Sequence, residues 1–213
     1  MTTVKTVPVK TSQEGPATSL NVHGICHSVS SMVHPEWAEA TARALLEEPL
    51  PRRWSHTQGV AGTARTLASI LGDNADLIAA AAWLHDIGYS PAIAVAGFHP
   101  LDGARHLRDH EHADQLLCCL VAHHSCAIIE AAERGLAEDL VSEFPAPPAE
   151  LADAVIYCDM TTGPDGQRTP VTQRLTEIGE RYGPGDLVTR ALTRSAPELT
   201  AAVSRIARNM VGS

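Results

Sequence analysis

Aromatic residues make up only 4% of the 213 positions, with two phenylalanines, three tyrosines and three tryptophans. A sheet core draws on β-branched and aromatic side chains. Their scarcity, beside abundant alanine, favours close-packed helices. Basic residues are also in deficit, 16 Lys and Arg against 25 Asp and Glu, for a net charge of -9. That argues against a general nucleic-acid binder, which carries a basic face. It leaves room for a small anionic substrate held by metals. The five cysteines are an odd number with no C-x-x-C pair, and Cys118 and Cys119 are adjacent. This points to a reducing, cytoplasmic setting with free buried thiols. No unbroken run of about 18 apolar residues occurs, so no membrane span is expected. Met1 to Leu20 lacks the apolar centre of a signal peptide. Internal repeats are also missing.

What is present is a length that suits one domain with a sizeable core, and eleven histidines concentrated between His85 and His124. Residues 1–30, rich in Thr, Val, Ser, Gly and Pro without a period, read as a flexible N-terminal arm. His23 and His27 in it are expected to be solvated. Residues 31–213 read as a single helical domain.

The apolar periods predict a helix from His34-Pro35-Glu36 to about Glu48, with Ser31 as candidate cap and Pro49 and Pro51 as its stop. A second helix is expected over 51–71, with Val60, Ala64, Leu67, Ala68 and Leu71 as its buried stripe. His56 lies four before Val60, on that same face. Asp73-Asn74 are expected to cap a third helix. Its run Ala75–Leu84 delivers His85-Asp86 at the point where Gly88 and Pro91 must end it. A fourth helix opens at His99-Pro100 and runs to about Asp109. His106, His110 and His112 follow on a charged, surface stretch. A fifth runs from Ala113 to about Ser125, and its phase turns at least one of His123 and His124 inward. The helix is expected to resume from Ile128 to Leu140. Phe144–Pro148 reads as a rigid linker. The next helix, from about Pro148 to Met160, sets Asp159 four after Val155 on an apolar face. After a Gly/Pro loop over 161–169 come two further helices, Pro170–Tyr182 and Asp186 to about Met210. The last is expected to break near Pro197.

Imidazoles and carboxylates on apolar faces are costly unless they share a partner, and a metal ion is the usual one. His56, His85-Asp86, His99, His123 or His124, and Asp159 follow this pattern in order. At this point the sequence resembles the HD-domain superfamily of metal-dependent phosphohydrolases, defined by a His, a His-Asp dipeptide and a distal Asp on a helical bundle. Here these match His56, His85-Asp86 and Asp159. The stretch His85-Asp86-Ile87-Gly88, His99-Pro100 with Gly103-Ala104, then His123-His124, is also similar to the HD-GYP branch that cleaves cyclic dinucleotides. It departs from that branch in Tyr89, where a lysine is usual, and in Ser125-Cys126-Ala127, where Gly-Tyr-Pro would stand. No acidic residue precedes His56 by one turn, which argues against a third metal. The Glu-Asp pair of guanosine tetraphosphate hydrolases is missing as well.

The resemblance implies an all-α HD-domain bundle with its metal-site core over about 52–162. It implies two divalent transition metals, Fe, Mn, Co, Ni or Zn rather than Mg, sharing Asp86 at about 3.5–4 Å separation. His56, His85, Asp86 and Asp159 would hold the first. Asp86, His99 and His123 would hold the second, with His124 as a further ligand or a donor beside it. Asp86 and His124 are the candidate catalytic residues; Arg52, Arg53 and Thr162, with Thr161 and Arg168 nearby, are candidates for substrate contact. The implied reaction is attack of a metal-activated water on the phosphorus of a nucleotide or other small phosphate ester. The same ligand set is similar to that of HD-type di-iron oxygenases, which cleave C–C or C–P bonds. A non-catalytic HD-fold ligand-binding module is a third reading.

Overall fold

The computed structural model of the chain describes residues 33–212. The arm over 1–30 with His23, His27 and Cys26, and the cap Ser31, lie outside the described residues. Within them the chain is all α, with no named strand and one isolated bridge between Thr162 and Arg168.

Helix α1 (Pro35–Leu46) buries Ala38, Ala42 and Leu46, one residue per turn on a single face. Helix α2 (Pro51–Arg65) opens on Pro51, whose fixed φ suits a first turn. The helix expected over 51–71 breaks at Thr66-Leu67, and a short α3 (Ala68–Leu71) follows. Thr66 closes α2 by donating its hydroxyl to Thr63 O at 2.7 Å, and Leu67 turns fully into the core. A single 3-10 turn, Gly72–Asn74, leads to α4 (Ala75–Leu84), and Asn74 makes no side-chain cap, contrary to expectation.

Helix α4 is apolar almost all round. Every residue from Ile78 to Leu84 is buried, which marks a central helix rather than a surface one. It packs against α1, α2, α6 (Gln115–His123) and α9 (Ala149–Met160). Trp54 on α2 stacks on Trp83 of α4 with centroids 5.4 Å apart. Helix α5 (His99–Asp109) lies against the turn Ile87–Tyr89 and against α6. Its Asp102, buried, accepts from Ala96 N (2.8 Å) and Gly97 N (3.0 Å), fastening the loop that precedes the helix.

The segment expected as one helix over 128–140 is two, α7 (Ala127–Arg134) and α8 (Ala137–Glu143). Gly135 separates them with φ 72°, a conformation glycine adopts freely. Phe144, at the head of the Pro-rich linker, is buried in the core. The chain closes with α10 (Val171–Tyr182) and α11 (Leu187–Val211). Helix α11 runs through Pro197 without the expected break. Pro197 lies on the exposed face, so the carbonyl it leaves free one turn back faces water. A second apolar cluster, Ile156, Met160, Leu199 and Ala202, joins α9 to α11.

One stretch, Gln115–Arg134, has the length and apolar composition of a membrane span, although it contains no unbroken apolar run. Half of it is buried inside the fold, and left-handed Ser125 and Cys126 interrupt it. It is a bent core element.

Candidate metal centre

Five elements converge on one point beside the C-terminal end of α4. Helix α2 contributes Arg53 and His56, three apart and so on one face. His85 caps α4, and Asp86 follows with φ -104° and ψ 4°, a bridge conformation that turns its carboxylate into the interior. His99 comes from the first turn of α5. His124 follows the end of α6, and Asp159 sits in the last turn of α9.

Close backbone approach sets these positions. A Cβ on Gly88 would meet His99 O at 2.0 Å, and one on Gly59 would meet Gly166 O at 2.4 Å. Glycine at 88 therefore lets α5 come close enough to bring His99 to Asp86. Glycine at 59 lets the 161–169 loop lie on α2, where Gly163 O meets His56. The chain after His123 is bent by Ser125 (φ 50°) and Cys126 (φ 59°), both in the left-handed region that non-glycine residues rarely occupy. That bend separates the two adjacent histidines.

His85, His124 and His56 are oriented alike. Each donates Nδ1–H to a backbone carbonyl: to Ala82 O (2.8 Å), Val121 O (2.7 Å) and Gly163 O (3.0 Å) respectively. A carbonyl only accepts, so each Nε2 is left as a lone pair turned toward the acids, the arrangement typical of metal-ligating histidine. His85 Nε2 is buried without a hydrogen-bond partner. His99 Nε2 and His124 Nε2 face each other at 3.1 Å, and His56 Nε2 lies 3.0 Å from Asp159 Oδ1. Acceptors set against acceptors need a shared cation or proton, and six donors of mixed imidazole and carboxylate type suit a transition metal. The residues present thus fit the ion that the sequence pattern implies.

Two triads result, His56 with His85 and Asp86, and Asp86 with His99 and His124. Asp86 belongs to both. Its Oδ2 is 3.3 Å from His85 Nε2 and 3.8 Å from His56 Nε2. Its Oδ1 is 3.4 Å from His99 Nε2 and 3.9 Å from His124 Nε2.

Protonation follows from burial and charge. Burial alone would raise the carboxyls of Asp86 and Asp159. It is outweighed at Asp86 by Arg53 and His85, and at Asp159 by His56, His85 and Arg174, so both lie well below the usual carboxylate range. Burial lowers His99 strongly, with His124 adding to it, and burial lowers His124 with the help of His85. At His85 burial is overcome by Asp86, and the ring is raised.

The other expected site residues fall differently. His123 points away and donates Nε2–H to Phe144 O at 2.7 Å; the structure does not bring it to the cluster, and His124 takes the place expected of it. Arg53 is at the centre, donating to Asp86 Oδ2 at 2.7 Å and lying over the Tyr89 ring at 3.8 Å. Arg52 turns outward and pairs with Asp165 at 2.9 Å. Thr162 is fully buried with its hydroxyl donated back to Cys158 O at 2.7 Å, so it offers nothing to the cleft. Thr161 likewise bonds Tyr157 O, and Arg168 holds Thr63, Thr161 and Tyr157 together.

Sequence reasoning missed three participants. Arg174 on α10, only 4% exposed, places Nη2 3.4 Å from His56 Nε2 and 3.7 Å from Asp159 Oδ1, and its Nε is buried without a partner. It shares a helix face with Val171 and Ile178, the same pattern that singled out His56, so it was open to discovery. Ser125 donates to Asp159 Oδ2 at 2.5 Å; nothing in its neighbours signals that. Tyr89 stacks on His99 at 3.8 Å.

The sequence model of the HD domain matches residues 53–159, half of the chain, and the protein belongs to the HD-domain family. The matched span runs from Arg53 to Asp159, two residues that touch the cluster. No curated protein and no solved structure matches the chain.

Proposed function

We propose that the protein is a metal-dependent phosphohydrolase acting on a nucleotide or another small phosphate ester through a dinuclear site. The observation that carries this reading is the pair of triads sharing Asp86, with three imidazoles locked by backbone carbonyls so that every Nε2 faces inward. His56, His85, Asp86 and Asp159 would hold one ion, and Asp86, His99 and His124 the other. Bound there, two divalent transition metals supply an activated water and neutralise charge developing on the phosphoryl oxygens.

The chain's own residues do the rest. Asp86 and Asp159 stay ionised at neutral pH, and His99 and His124 stay neutral, which is the form each needs as a ligand. Arg53 and Arg174 line the cleft above the cluster, Arg53 with Nη1 on Asp86 and Arg174 with Nη1 on Glu177, each at 2.7 Å, and their remaining N–H groups suit the oxygens of a phosphate. Ser125 fixes Asp159 by the hydrogen bond to its Oδ2. Burial of the cluster excludes bulk water and strengthens these contacts. A reducing, cytoplasmic setting belongs to the same proposal; Cys118, Cys119, Cys126 and Cys158 are free thiols.

The nitrogen-rich donor set also suits iron, which keeps a di-iron oxygenase as the second reading. The two arginines beside the metal site favour phosphate and hence the first. Phosphate release from a panel of nucleotides and small esters, with Mn, Co, Ni, Fe or Mg added and Asp86→Asn as control, tests it. Metal-dependent release lost in Asp86→Asn is the expected result. Silence across the panel with oxygen consumption by iron-loaded protein would replace hydrolysis with oxygenation. Silence in both, with ligand binding kept in His85→Ala, would leave a non-catalytic module.

A further inference from the structure

The cleft over the cluster is partly open to solvent, and its two halves differ in chemistry. One half is the anion end, with Arg53, Arg174, Asp86, His99, His124 and Asp159. The other is walled by Met160, Ile178, Val188, Leu192 and Leu199. Ile178, Val188 and Leu192 are left half-buried there, apolar surface that a ligand would cover.

In the apolar half the groups able to meet a nucleobase are already engaged: the Arg181 guanidinium is held by Glu177 and lies over the Tyr182 ring at 5.7 Å. Ser195 lines this half, but it is buried and its hydroxyl proton is donated to Leu192 O at 3.1 Å. Glu130 lines it too, and its carboxylate accepts from Arg134 at 2.8 Å. Tyr89 cannot stack on a base, because His99 and the Arg53 guanidinium each lie 3.8 Å from its ring centre and occupy its two faces. A base placed here would exchange its water hydrogen bonds for aliphatic contacts, which is unfavourable. A hydrocarbon would lose nothing and gain the burial. These five wall residues lie beyond residue 159, where the family match ends, and Ala127 and Ile129, inside the match, complete the apolar lining. Four of the five stand on α10 and α11.

We infer that the substrate is a phosphate ester whose alcohol part is apolar and carries no nucleobase, selected mainly by helices α10 and α11. This rests on the phosphohydrolase reading and narrows it. Phosphate sits at the arginines and the metal ligands, and the hydrocarbon runs along Ile178, Val188 and Leu192.

The test uses the full chain loaded with Mn. Calorimetry measures binding of methyl-, butyl- and hexylphosphonate, which carry no ester bond, and of AMP. Phosphate release from the matching alkyl phosphates and AMP is followed in parallel. Affinity and kcat/KM are expected to rise about threefold to fourfold per methylene while the chain still finds wall to cover, with hexylphosphonate far ahead of AMP. Leu192→Asn should flatten that slope; Ile178→Thr serves if Leu192→Asn fails to fold. Equal affinity across the series, or AMP ahead of hexylphosphonate, overturns the inference while hydrolysis of any ester leaves the phosphohydrolase reading standing. A rising phosphonate series with no ester hydrolysed overturns the phosphohydrolase reading and leaves an apolar-acid site. No binding and no release overturn both.

Discussion

Gly88→Ala is the sharpest perturbation of the way the fold builds the second triad. The new Cβ would stand 2.0 Å from His99 O and 2.7 Å from Gly103 N. Real Cβ contacts do not fall below 3.0 Å, so the turn and the start of α5 must part by about 1 Å, the difference between 3.0 and 2.0. Both obstacles are backbone, so no side chain can swing aside. His99 Nε2 starts 3.4 Å from Asp86 Oδ1 and 3.1 Å from His124 Nε2, and a shift of that size removes it from a common coordination sphere. Overpacking of this kind costs about 1–3 kcal/mol. For a chain of this length that lowers the melting temperature by roughly 2–12 °C. Affinity for the second ion should fall by about 10–100-fold, as when the groups that orient a ligand are disturbed. Thermal melts with and without metal, and ions per chain after dialysis, measure both effects. Gly62→Ala on α2 is the control, because a Cβ there meets nothing within 4 Å and helix propensity favours it by about 0.5–1 kcal/mol. If Gly88→Ala melts with the parent and keeps its full metal content, the close contact between the turn and α5 does not position His99.

Other outcomes follow from the same geometry. His124→Ala should lose one ion and at least about 100-fold of activity, whereas His123→Ala should keep both ions and lose about 1 kcal/mol for the Phe144 contact in a denaturant melt. His110→Ala, on the surface, should leave metal content unchanged by elemental analysis. Saturation with metal at about 100 times its dissociation constant should raise stability by about 2.7 kcal/mol, and chelator should reverse the shift in a thermal melt. Metal affinity should fall with acid, since ligands must be deprotonated. His85 has a raised pKa, and His99 and His124 have lowered ones. Protons therefore compete at His85 already above the ordinary imidazole range, and at the other two only below it. The triad of His56, His85 and Asp86 should empty first as pH falls, and a metal titration from pH 8 to pH 5 that finds the opposite order contradicts the assignment.

The apolar periods were enough to place His56, His85 and Asp159 on inward faces, because a polar group at a core position of a helix stands out against Val60, Ile78 or Val155. They were not enough at His123 and His124, which both fit the phase of α6. The choice between them is made by left-handed Ser125 and Cys126, and neither residue type announces that conformation. Thr162 was expected at the substrate from its place in the Gly/Pro loop, and Arg52 from its place one turn before His56. Thr162 instead returns its hydroxyl to its own helix, a common habit of threonine, and Arg52 finds Asp165 in a loop over a hundred residues away. Helix breaks at Thr66-Leu67 and Gly135, and the continuity through Pro197, depend on which side of each helix meets water. Arginine is usually solvated, yet the phase of Arg174 on α10, beside Val171 and Ile178, places it inward.

The most direct measurement is the number of Mn or Fe ions bound per chain in the parent, in His56→Ala and in Asp86→Ala, with circular dichroism to confirm that each is folded. Two ions in the parent, one in His56→Ala and at most one weakly held ion in Asp86→Ala are predicted, because Asp86 serves both triads. A stoichiometry unchanged by Asp86→Ala would contradict the shared-carboxylate site on which the functional assignment stands.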